Sequence, residues 1–185
     1  MKLSDERYEE IKAEVIDLFS RYDIRCIPIS GFELAINMGI TLVPYSSLSQ
    51  KKFKAAYRVS ADGFYLETSD GKECIFYNDR VGYKRANMTI LHEIGHCVLG
   101  HHDDMDQEEA ETEAKFFAKY AAAPPPLVHR IKPNGPEDIE DIFAISYEAS
   151  IYAYEYYHKW LRQYRQTGLY FFYEQQLLHL FKECA

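Results

Sequence analysis

Thr89-Ile90-Leu91-His92-Glu93-Ile94-Gly95-His96-Cys97-Val98-Leu99 is the segment from which the rest of this chain can be read. Ile90, Leu91, Ile94, Val98 and Leu99 make it a strongly apolar helix. His92 and His96 stand four residues apart, so a helix places them on one face, where two imidazoles can turn to one cation. Glu93, one step round, can reach a water held by that cation. Zinc accepts tetrahedral nitrogen and oxygen ligands and brings no redox chemistry. It also lowers the pKa of bound water towards neutrality, where a carboxylate can take the proton. The competing reading is a helix with two satisfied histidines. Against it, histidines and a glutamate inside so apolar a helix need a polar reason to be there. Gly95 costs about 1 kcal/mol against alanine in a helix interior, which makes sense where another backbone packs closely.

A catalytic zinc commonly has three protein ligands plus water, and the third is expected from the helix that follows. The run Asp103-Asp104-Met105-Asp106-Gln107-Glu108-Glu109-Ala110-Glu111-Thr112-Glu113-Ala114 offers many carboxylates. Most suit a solvated helix N-terminus, which favours negative charge. Ala110, Ala114 and Ala118 let this helix approach the histidine helix, and Glu111 shares the Ala114–Ala118 face. Glu111 is therefore the first choice. Glu113, nearer Phe116, Phe117 and Tyr120, is the second. His101 and His102 compete as ligands, but they follow Gly100, a helix C-cap, and are expected to turn away.

Outward from this core, Ser4–Ser20 has a helical stripe of Tyr8, Ile11, Val15, Leu18 and Phe19, with Ser4 as N-cap. A short helix is expected over 31–38, closed by Gly39, and a strand over 40–43. Residues 56–60, 64–68 and 73–77 read as strands, with Asp62-Gly63 and Asp70-Gly71 between them, which predicts a three-stranded antiparallel meander. Helices are expected over 85–99, 107–121, 138–144, 147–164 and 170–182. Pro124-Pro125-Pro126 interrupts them as a stiff connection. The fold class is α+β, mostly helical, with a small three- to four-stranded antiparallel sheet. The organisation expected is one domain over 1–165, with a C-terminal helical extension over 166–185 packed on it.

Composition narrows the function classes. The net charge is −8, from 21 basic and 29 acidic residues, so no direct nucleic-acid partner is expected, since phosphate binding needs a positive footprint. No stretch approaches the roughly 20 apolar residues of a membrane span, and Met1–Glu6 lacks a secretory signal's apolar segment. The expectation is a cytoplasmic protein with no membrane partner. Cys26, Cys74, Cys97 and Cys184 include no C-x-x-C pair and read as reduced thiols. Eight of the 16 tyrosines lie between Tyr147 and Tyr173 and read first as aromatic packing, second as a partner-binding face. The 138–144 and 147–164 helix pair has helix-turn-helix length, but acidic residues flank its turn where a recognition helix needs Arg, Lys, Asn or Gln.

The segment Thr89–His96 also resembles the core signature of the ImmA/IrrE-like zinc metallopeptidases. Ile27-Pro28-Ile29 and Met38-Gly39-Ile40-Thr41-Leu42 resemble that family's Pro-containing turn and Gly-Ile strand. Glu111-Thr112-Glu113-Ala114-Lys115-Phe116-Phe117-Ala118, ending at Pro124, resembles its E-x-x-A-[ND]-x-F-A…P helix, and Phe143–Ser150 its F-x-V-S-x-x-A block. The resemblance implies a zincin-like fold with His92, His96 and Glu111 on zinc and Glu93 as the catalytic base. It further implies a short, anti-repressor-like branch whose protein substrate is a helix-turn-helix repressor. Two positions depart from the pattern. Lys115 replaces an Asn or Asp that can buttress a metal-bound histidine, so another acceptor must serve, with Glu113 and Asp106 the candidates. Tyr120-Ala121-Ala122-Ala123 replaces a bulkier stretch. These departures sustain an alternative, a zincin-fold protein that binds and sequesters a repressor without turnover.

Overall fold

A computed structural model describes residues 2–101 and 105–182 of the chain. His102, weighed above as a ligand, lies outside the described residues, as does Cys184. The elements, in order, are α1 Asp5–Arg21, α2 Gly31–Met38, β1 Thr41–Pro44, α3 Gln50–Val59, β2 Gly63–Glu67, β3 Glu73–Tyr77 and α4 Tyr83–Val98. They continue with α5 Gln107–Ala122, α6 Pro125–Ile131, α7 Pro136–Phe143, α8 Tyr147–Thr167 and α9 Phe172–Leu180. The domain is α+β and zincin-like, with a three-stranded mixed sheet. No helix among the described residues is long and apolar enough to cross a membrane.

The chain gathers into two compact units. One holds Ser30–Ala118 with the residues before Ser4; the other holds Ser4–Ile29 and the chain from Lys119 onward. In the first, the strand order is β1-β3-β2. β1 runs parallel to β3, with Thr41 opposite Cys74, and β2 runs antiparallel to it, with Gly63 opposite Tyr77. α4 packs on β2 and β3, and α2 packs on α4. Ile75, Ile90, Leu91 and Ile94 are completely buried. Gly31 opens α2 by donating its N–H to Asn87 Oδ1 at 2.7 Å, and a Cβ there would come within 3.1 Å of Asn87 O and Leu91 Cγ. A glycine is what lets the two helices approach this closely.

The antiparallel meander expected over 56–78 is half correct. The β2–β3 hairpin forms, turning through Gly71 with φ +76°. Residues 56–59, however, belong to α3, and the third strand is β1, paired in parallel rather than antiparallel. A five-residue window hid the helical period. Extended back to Phe53, the segment presents Phe53, Ala56 and Tyr57 on one side, and the Lys51, Lys52, Lys54 and Ala55 around them are good helix formers. The triple proline behaves in two ways. It ends α5, as expected, but Pro125 and Pro126 then start α6, because the first helical turn has no intrahelical use for the missing N–H.

The second unit is helical. Ser4 Oγ accepts the Arg7 N–H at 3.1 Å and caps α1. α1 packs against α9, where the rings of Phe19 and Phe181 lie 6.0 Å apart, and α8 packs against α6 and α7. The tyrosines of α8 are largely packing residues: Tyr157 is buried, and Tyr152 and Tyr156 stack at 6.0 Å. Burial pushes the Tyr152 hydroxyl up to about 12.

Candidate metal centre

α4 carries His92, Glu93 and His96 on consecutive turns, and α5 brings Glu111 to them. α5 comes close because Gly95 has no side chain: Phe117 of α5 fills the space where a Cβ would stand. Ala114 and Ala118 are buried as the sequence suggested. His92 Nε2 and His96 Nε2 are 3.1 Å apart. Glu111 Oε1 lies 3.3 Å from His96 Nε2 and 3.7 Å from His92 Nε2. The three residues form a group whose ligand atoms all lie within 4.8 Å of one another.

These spacings suit a cation. Donors about 2.0–2.1 Å from one tetrahedral ion sit about 3.3 Å from each other, close to the three separations found here. The electrostatics agree. Burial, with His92 alongside, pushes His96 down to about 4. Burial also lowers His92, although the Glu111 charge opposes it. Both rings are therefore neutral near pH 7, with lone pairs to offer. Burial would raise Glu111, but the Lys115 hydrogen bond and the two histidines outweigh it, so the carboxyl is held below its ordinary range. Lys115 Nζ meets Glu111 Oε2 at 3.0 Å, leaving Oε1 towards the histidines.

Glu93 is held apart from this group. Its Oε2 accepts the backbone N–H of Tyr65 at 2.9 Å. β2 is an edge strand, and the bonds Asn78 N to Asp62 O and Thr68 N to Lys72 O set its alternation, so Tyr65 N–H faces away from β3. The Tyr65 side chain is fixed by Glu73, its hydroxyl donating at 2.8 Å to Oε1, which also accepts from Cys97 Sγ at 3.3 Å. Burial raises Glu93 to about 7, the Glu111 charge adds to this, and the Tyr65 N–H opposes it. A carboxyl with that affinity can take and return a proton near neutral pH.

The other candidates are placed elsewhere. Glu113 does not join the metal group. Its Oε2 lies 3.0 Å from His101 Nε2, and both side chains are 4% exposed. His101, expected to turn away, turns inward, with its Nδ1 2.9 Å from His96 Nδ1. The spacing rules for metal ligands did not find this pair.

Residues 42–156 match Peptidase_M78, the IrrE N-terminal-like domain. The chain belongs to this family. The match starts in β1, spans the whole cluster and ends in α8, so it rests on more than the H-E-x-x-H pentapeptide. Membership makes this Peptidase_M78 domain metallopeptidase-type, with a polypeptide as its substrate class. Its His92-His96-Glu111 group could hold the metal. None of the curated proteins matches the chain.

Proposed function

We propose that this Peptidase_M78 domain is a cytoplasmic zinc endopeptidase that cleaves a regulatory protein, a helix-turn-helix repressor of a mobile element or stress response. His92, His96 and Glu111 hold the ion, and Glu93 is the catalytic base. The observation that carries the reading is the convergence of His92 Nε2, His96 Nε2 and Glu111 Oε1. Two neutral imidazoles and one carboxylate are a hydrolytic zinc set, with a coordination position left over. Bound there, zinc would supply Lewis acidity at the scissile carbonyl and acidify water.

The residues of the chain do the rest. Glu93 takes a proton from the attacking water and returns it to the amide nitrogen as the C–N bond breaks, giving a carboxylic acid and an amine. The Tyr65 N–H orients the Glu93 carboxylate before the reaction.

The test is Glu93→Gln. The variant should bind one zinc as the native chain does. It should lose cleavage of a helix-turn-helix repressor substrate by at least about a hundredfold, read by mass spectrometry of the products. Cleavage retained at the native rate would remove Glu93 from the mechanism. Capture of the repressor without products by the native, zinc-loaded chain would favour sequestration instead.

A further inference from the structure

α4 ends in a complete glycine-capped turn. Gly100 takes φ +67°, its N–H donates to Cys97 O at 3.2 Å, and the N–H of His101 donates to His96 O at 3.1 Å. These are the two bonds of a Schellman motif. The motif commonly brings together the side chains of the residues joined by its longer bond, in an apolar contact. Here those residues are His96 and His101, and the contact is a hydrogen bond between imidazoles, Nδ1 to Nδ1 at 2.9 Å. On its far side His101 Nε2 meets Glu113 Oε2 at 3.0 Å. The side chains of His101 and Glu113 are almost wholly buried, each 4% exposed.

With Glu113 ionised and both rings neutral, these contacts admit one proton arrangement. An ionised carboxylate only accepts, so His101 Nε2 carries the hydrogen that it gives to Glu113. A neutral imidazole has one N–H, so His101 Nδ1 is then a lone pair and must accept. His96 Nδ1 therefore donates, which leaves His96 Nε2 as a lone pair. That nitrogen is the one 3.1 Å from His92 Nε2 and 3.3 Å from Glu111 Oε1. One buried carboxylate on α5 thus dictates, through two rings, which nitrogen of His96 is free to bind a cation.

We propose that His101 and Glu113 are positioning residues that hold His96 in the Nδ1–H tautomer with its Nε2 lone pair turned into the His92–Glu111 cluster. The proposal rests on the metal-site reading above, but its first consequence is a property of the metal-free protein. It also supplies an acceptor in place of the family's usual Asn or Asp at the position of Lys115. Glu113 does this from α5, two residues before that position, with His101 relaying it.

The imidazole nitrogens of the metal-free native chain report the arrangement directly by long-range proton–nitrogen NMR at pH 7.5. Expected is a protonated Nδ1 and an unprotonated Nε2 on His96, with the reverse on His101. In His101→Phe, which keeps a flat ring but offers no acceptor, His96 should shift towards the Nε2–H form. Zinc affinity, read by chelator competition, should then fall 10–100-fold; because this change also takes a partner from buried Glu113, the next variant controls for stability. His101→Gln, whose amide oxygen can accept from His96, should recover part of the affinity. An Nε2–H tautomer on His96 in the native metal-free chain would overturn the proposal. So would zinc affinity unchanged in both His101→Phe and Glu113→Ala, or a metal-induced shift showing His101 itself as a ligand. A chain that binds no zinc, yet shows the His96 tautomer and its loss in His101→Phe, would sink the peptidase reading and leave the positioning pair intact.

Discussion

A Cβ on Gly95 would lie 3.0 Å from Cδ1 and 3.2 Å from Cβ of Phe117, a side chain with no exposed surface. Alanine there gains about 1 kcal/mol of helix propensity, while overpacking a core site costs about 1–3 kcal/mol. Phe117 has nowhere to go, so the second effect should win. Gly95→Ala is expected to lower stability by about 1 kcal/mol in a urea titration of the metal-free chain. It should also weaken zinc binding, because α5 must move away and Glu111 travels with it. A stabilised variant would show that Phe117 yields and that α4 and α5 do not need the glycine. Lys115 gives the contrasting case. Its pair with Glu111 is half exposed, where such contacts are screened and worth little. Lys115→Ala should change zinc affinity by less than about fivefold, whereas Glu111→Ala removes a donor from the cluster. Equal losses in the two variants would mean that Lys115 is needed to keep Glu111 Oε1 in place.

At the scale of elements, α6 meets α8 through His129. Its Nδ1 lies 3.0 Å from the Tyr157 hydroxyl, and the rings of Trp160 and Tyr164 stand 5.5 and 5.6 Å away. Burial lowers its pKa, with the charges of Lys132 and Arg165 adding to the effect. The folded chain therefore binds this proton less readily than the unfolded chain does. The contribution of neutral His129 is complete above the ordinary imidazole value and is lost as pH falls below it. The difference in thermal midpoint between the native chain and His129→Gln should shrink from pH 7.5 to pH 5. A constant difference would show that the α6–α8 contact does not depend on the charge of the ring. The long helices α1, α4, α5 and α8 were legible in the sequence because each repeats its apolar stripe over several turns. α3 was not, because 56–60 alternates well enough over five residues to pass as a strand. The parallel β1–β3 pairing joins residues about thirty positions apart and leaves no local signature. In the site, the spacing of His92 and His96 and the alanine face of α5 pointed to the three residues that converge. The approach of His101 was foreshadowed by Gly100, but only if the capping glycine is followed through to the residue after it. The Tyr65 amide is a backbone group on an edge strand, and no residue type announces it.

At the scale of the whole molecule, the histidines and carboxylates of the centre all belong to the unit that holds Ser30–Ala118. Metal binding therefore enters the stability of the chain through that unit. A ligand that binds only the folded form adds about 4 kcal/mol at a free concentration a thousandfold above its dissociation constant. Zinc should accordingly raise the thermal midpoint, and the gain in amide hydrogen-exchange protection should appear in α4 and the first turns of α5. The net charge of −8 complicates the measurement, because an acidic surface also gathers divalent cations loosely. The two effects separate with salt and with mutation. Loose association is screened as ionic strength rises past about 0.15 M, whereas three buried or half-buried donors on one ion are not displaced by sodium. Protection in α4 that persists in 0.5 M sodium chloride and vanishes in His92→Ala places zinc in the centre. Protection that fades with salt, or that survives His92→Ala, would put the metal elsewhere on the acidic surface and leave the His92–His96–Glu111 cluster without its ion.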